Sequence, residues 1–134
     1  MPIELKMLAW TLVLLLVQIF LAASCRTREA GLSYNAGPRD VASRVPVGKV
    51  TGRLARAQNN LLETLPIFMG AVLILQFAQV HNATTHWALL LYFWASVVYV
   101  PLYAFGVSYV RTAAWGVSLV GIIMLLVAVF RAAV

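Results

Sequence analysis

Four stretches of this chain, residues 7–25, 61–80, 87–105 and 113–130, are apolar for 18 residues or more, and Glu63 in the second is the one charge within them. Runs of that length cross a bilayer as helices. Each residue adds ~1.5 Å against ~30 Å of hydrocarbon, and a helix satisfies its own backbone groups where no water can. With the polar turns that lead into them, the stretches predict helices at about 7–25, 57–80, 87–105 and 112–131. These and short connections nearly exhaust the 134 residues, so the expectation is one all-α domain, 1–134, an integral membrane four-helix bundle. Only 10% of residues are charged, where a soluble domain carries about 25%. No length remains for a separate soluble domain.

The formal charge of +6 would in a soluble protein point to nucleic acid. Here seven of the ten basic residues (Arg26, Arg28, Arg39, Arg44, Lys49, Arg53 and Arg56) fall between the first two apolar stretches. That segment has a single aromatic residue, Tyr34, and so offers no base-stacking surface. The positive-inside rule accounts for the cluster instead. It places loop 26–56 in the cytoplasm, both termini and the short loop "HNATTH" outside, and Arg111 on the cytoplasmic side. The N-terminus resembles a secretory signal ending in Cys25. Its apolar run exceeds the ~7–15 residues of a signal core, and its start balances one lysine against one glutamate, so a retained helix is expected. Cys25, the single cysteine, has no internal disulfide partner. Loop 26–52 carries Gly, Pro, Ser and Asn at short, irregular intervals, and the pattern turns helical from about Lys49.

"GRLARAQNNLLETLPIF", residues 52–68, sets polar groups at the mouth of the second apolar stretch. At ~100° per residue, Arg53, Arg56, Asn60 and Glu63 share a stripe about 80° wide, with Asn59 just beyond its edge. A charge left in lipid costs on the order of 3 kcal/mol or more, so Glu63 must be paired, protonated or bound. Two readings fit. The arginines are snorkelling anchors and Asn60 with Glu63 joins helices, or the stripe holds a zwitterion with carboxylate and ammonium ends. Pro66 frees the carbonyl four residues earlier and places a protein-facing bend beside Glu63.

The second polar cluster is "YVPLYAFGVSYVRT", residues 99–112. Tyr99 and Tyr103 are four apart and share a helix face, while Tyr109 fits an interfacial belt. Arg111 and Thr112 open the last helix, where the dipole already favours anions, a setting suited to a thiolate or carboxylate. His81 and His86 lack acidic neighbours in the sequence, so no metal site is expected. The chain has no phosphate-binding glycine loop, Cys-x-x-Cys or Gly-x-Ser-x-Gly.

Together these residues resemble a known family. Arg53, Arg56, Ala57, Asn60, Glu63 and Pro66 match the R-x-x-R-A-x-x-N-x-x-E-x-x-P signature of MAPEG proteins, the membrane-associated proteins of eicosanoid and glutathione metabolism. Tyr99, Tyr103, Gly106, Arg111 and Thr112 match a later Y-x-x-x-Y…G…R-[ST] segment, and "YNAGPRD" looks like bacterial members. The resemblance implies a homotrimer in the bacterial inner membrane that binds glutathione between subunits near the cytoplasmic face. Arg53, Arg56, Asn60 and Glu63 would then grip its carboxylates and amine. Tyr103, with Tyr99 on the same face, would contact it, and Arg111 with Thr112 nearby would stabilise its thiolate. The implied activity is a glutathione-dependent transferase or peroxidase whose small lipophilic electrophile arrives from the lipid. Two positions depart from the pattern: Ser96 stands where family enzymes often carry arginine, and Asn59 where many carry a basic residue. The departures keep open a reading from a different class, a non-catalytic accessory subunit of a membrane assembly.

Overall fold

A computed structural model describes residues 1–40 and 45–133 of the chain; Arg44 of the basic loop lies outside the described residues. Five helices follow in order: α1 (Ile3–Ala30), α2 (Leu32–Asn35), α3 (Lys49–Phe77), α4 (Ala83–Ala104) and α5 (Ser108–Ala132). The four long ones are each long and apolar enough to cross a membrane, so the chain is a multi-pass membrane protein. Every long helix is longer than its apolar stretch, although α3 ends at Phe77 and α4 at Ala104, short of residues 80 and 105. α1 continues past Cys25 until Gly31, whose φ of 88° ends the helix while its amide still bonds the Thr27 carbonyl. α3 starts at Lys49, well ahead of Leu61, because the polar turns between them are helical as well. The segment between the first two apolar stretches is thus helical at both ends, and α2 adds a single turn.

The long helices run alternately up and down, joined by tight turns between α3 and α4 and between α4 and α5. Asn82 starts α4 with a capping box: its side chain accepts from the Thr85 amide, and the Thr85 hydroxyl accepts from the Asn82 amide. At the bundle axis Phe68, Val72 and Leu75 of α3, Leu89 and Tyr92 of α4 and Leu125 of α5 are fully buried. Phe68 stacks on Tyr92 with ring centroids 4.1 Å apart. α4 and α5 approach closely at Gly121, where a Cβ would meet the Ala88 carbonyl at 2.8 Å. Such contacts hold helices together in lipid, where apolar burial gives no advantage over the tails and packing must supply it. The exterior is the reverse of a soluble protein's: Trp10, Phe20, Ile74, Trp94 and Ile123 point outward.

Glu29, in the last turn of α1, fixes where α3 begins. Its carboxylate accepts from the Gly48 amide (3.2 Å) and the Thr51 hydroxyl (2.6 Å). Gly48 has no capping side chain of its own, so Glu29 supplies that anion from a neighbouring helix. Arg26 completes the clamp, bonding Glu29 at 3.1 Å and the Val45 carbonyl at 2.9 Å. The opposite end is tied by Glu4, buried in the first turn of α1, with its carboxylate 2.9 Å from His81 Nδ1.

Candidate functional site

The Glu29 clamp holds the first turns of α3 beside the end of α4 and the start of α5. Arg53 and Arg56, one turn apart on α3, both reach across to α4. Arg53 Nη1 donates to the Ala104 carbonyl at 3.4 Å, and Arg56 Nε donates to the Tyr103 hydroxyl at 3.0 Å. Gly106 makes room for the first contact: its φ is +73°, and a Cβ there would stand 2.9 Å from the Arg53 guanidinium carbon. Arg111, in the first turn of α5, lies over the ring of the same tyrosine, 4.5 Å from its centroid, and the Arg56 guanidinium carbon stands 5.7 Å from that centroid. Tyr103 therefore holds two guanidiniums, Arg56 chiefly by its hydroxyl and Arg111 by its π face.

One turn deeper, Asn60 Nδ2 donates to the Tyr99 hydroxyl, and the Tyr99 and Tyr103 rings meet edge to face at 5.3 Å. Asn60, Tyr99, Tyr103, Arg111, Thr112 and Trp115 line an open cleft of ≈ 340 Å³, within the range of small-molecule sites. The Thr112 hydroxyl donates to the Ser108 carbonyl of its own helix (3.1 Å) and faces the cleft as an acceptor. α5 starts without a side-chain cap, so the amides of its first turn add to the positive field there.

Glu63 lies apart from this contact set. It is exposed, outward on α3 with Asn59, and among the described residues makes no hydrogen bond or ion pair. Arg53, Arg56 and Arg111 likewise have no carboxylate partner; among the described residues the ion pairs are Arg26–Glu29 and His81–Glu4. Of the four charged groups only Arg111 lines the cleft, with Arg56 joined to its Tyr103 wall. Ser96 faces inward, donating to the Tyr92 carbonyl at 2.7 Å, and is absent from the cleft wall. Among the described residues no group of three or more His, Cys, Asp or Glu side chains could hold a metal ion. Trp115 is a cleft residue that sequence reasoning missed. Its place four residues after Arg111, on the same helix face, is the signal that could have found it.

The fold and site define a multi-pass helical membrane protein whose bundle carries a guanidinium-lined cleft at one end. The profile of the MAPEG family matches residues 7–131. The chain belongs to that family, which includes glutathione transferases and peroxidases. Comparisons with curated proteins and with solved structures give no match.

Proposed function

We propose that the protein is a glutathione-dependent transferase or peroxidase acting on small lipophilic electrophiles. The observation that carries this reading is the pair of guanidiniums held by Tyr103 at the cleft mouth. Glutathione brings two carboxylates and one ammonium, and Arg53 and Arg56 complement the former as Glu63 complements the latter. Its thiol, of pKa ~8.5, is mostly protonated at neutral pH, and a cation such as Arg111 beside the sulfur favours the nucleophilic thiolate. The proton leaves to the water of the open cleft; the thiolate attacks an electrophilic carbon, and the leaving group departs with its electron pair. A cleft at the mouth of a membrane bundle suits both reactants, since the tripeptide arrives from water and the electrophile from lipid.

Exposed Glu63 supports a homotrimer. A carboxylate on the outer face of α3, inside its apolar stretch, is costly against lipid and is relieved when another copy covers it. On this reading glutathione sits between subunits, on the cytoplasmic side of the bacterial inner membrane, with the clustered cations of loop 26–56 following the positive-inside rule. The experiment is titration of glutathione into the detergent-solubilised protein, with conjugation of an aryl halide measured alongside. Arg111→Ala should abolish conjugation while retaining most binding. No binding at millimolar glutathione sinks the proposal. A second reading, an accessory subunit without catalysis, draws on the absence of Ser96 from the cleft wall, where family enzymes often place an arginine. Purification with a different protein in fixed stoichiometry, and without thiol binding, would establish it.

A further inference from the structure

Gln18 stands in the middle of α1, only 2% exposed, and its side-chain oxygen has no hydrogen-bond partner among the described residues. A buried amide oxygen without a partner carries its whole desolvation penalty. Gln18 lines a small chamber of ≈ 20 Å³, walled also by Asn60 and Thr64 of α3, Ser96 and Tyr99 of α4 and Ser118 of α5. The chamber lies deeper than the cleft and shares Asn60, Tyr99 and Trp115 with it.

The hydrogen-bonding inventory of these walls is lopsided. Ser96 spends its proton on the Tyr92 carbonyl and Ser118 on the Trp115 carbonyl, both at 2.7 Å. Each hydroxyl is left with lone pairs only. The Thr64 hydroxyl is paired with that of Tyr92 at 2.9 Å. Gln18 adds its free oxygen. The Tyr99 hydroxyl accepts from Asn60 and keeps its own proton to give. Walls of this kind call for an occupant that donates twice and accepts at least once. Water has that valence, and a cavity needs roughly 10–15 Å³ to hold one molecule. A cation would find no carboxylate in the walls, and an anion no charged donor to set against the lone pairs of Gln18, Ser96 and Ser118.

We infer that this chamber binds one ordered water molecule, donating to the Gln18 side-chain oxygen and the Ser118 hydroxyl and accepting from the Tyr99 hydroxyl. The water joins α1 to α4 and α5 deep in the membrane, where no direct hydrogen bond among the described residues links them. It also gives Tyr99 and Asn60, the inner wall of the cleft, a fixed backing, whatever ligand the cleft takes.

Gln18→Leu tests the inference by the sign of its effect, because leucine fills similar space without polar atoms. If the water is present, the substitution strips a partner from it and the thermal midpoint in detergent falls by roughly 3–5 °C. A midpoint that stays or rises overturns the inference, since removing an unpaired amide from a dry chamber relieves the protein. Ser118→Ala serves as the second arm. With a shared water, the two substitutions together lower the midpoint by less than the sum of their separate effects; simple additivity overturns it. Solid-state magnetic resonance of the unmodified protein in bilayers, with nitrogen-labelled glutamine, keeps the test free of any variant's folding. A cross-peak between water and the Gln18 amide is expected, and its absence overturns the inference. None of these measurements involves glutathione, so their failure is distinct from failure of the proposed activity.

Discussion

Tyr103 holds Arg56 and Arg111 by different physics, so two substitutions there should separate their contributions to glutathione binding. Tyr103→Phe keeps the ring under Arg111 but deletes the oxygen that accepts from Arg56 Nε. Arg56 is exposed and has no other hydrogen-bond partner among the described residues; left with only a loose contact to the ring, 5.7 Å from its centroid, it becomes more mobile and must be ordered by the ligand. Ordering one such side chain on binding costs about 0.5–1.5 kcal/mol, a rise in Kd of roughly 2- to 12-fold. Tyr103→Leu removes the π face as well and frees both guanidiniums. The cost then doubles to about 1–3 kcal/mol, or roughly 5- to 150-fold in Kd. Titration calorimetry with glutathione measures all three proteins. The Phe effect should also vanish in an Arg56→Ala background, because the hydroxyl acts only through that arginine. If Phe weakens binding as much as Leu, or if its effect survives without Arg56, Tyr103 does not act by preordering two cations.

Further expectations concern the scaffold and the outer face of α3. Gly121→Ala places a methyl 2.8 Å from the Ala88 carbonyl, which belongs to backbone and cannot swing away; a loss of about 1–3 kcal/mol should appear in thermal melts. Gly106→Ala meets two penalties, a left-handed φ worth about 1–2 kcal/mol and displacement of the Arg53 guanidinium. It should lower the melting midpoint and raise the Kd for glutathione together. Asn82→Ala removes the start signal of α4 and should cost about 1 kcal/mol in the same melts, with binding unchanged. Glu63→Gln should preserve a trimer in sedimentation while weakening glutathione through loss of the ammonium partner. A monomer that binds normally would refute the role given to Glu63.

Length and hydropathy alone announced four crossing helices, because the backbone of a lipid-spanning segment has no alternative to helix. The stripe of Arg53, Arg56 and Asn60 was legible for a related reason, since helical period is a property of local sequence. Partners were not. That Arg56 reaches Tyr103, that Asn60 reaches Tyr99 and that Arg111 lies over the Tyr103 ring depends on how α3, α4 and α5 pack, which spacing along the chain does not encode. Trp115 and Gln18 escaped notice because an aromatic residue or a lone amide in an apolar run looks like packing until its neighbours are known. Glu63 shared the stripe by angle yet stands outward from the contacts, since a stripe 80° wide can straddle the boundary between a helix's packed and free faces. By itself the sequence determined how many helices cross the membrane, their polar faces and the family. Only the tertiary structure decided which polar groups meet, because those contacts come from residues far apart in the chain and brought together by packing.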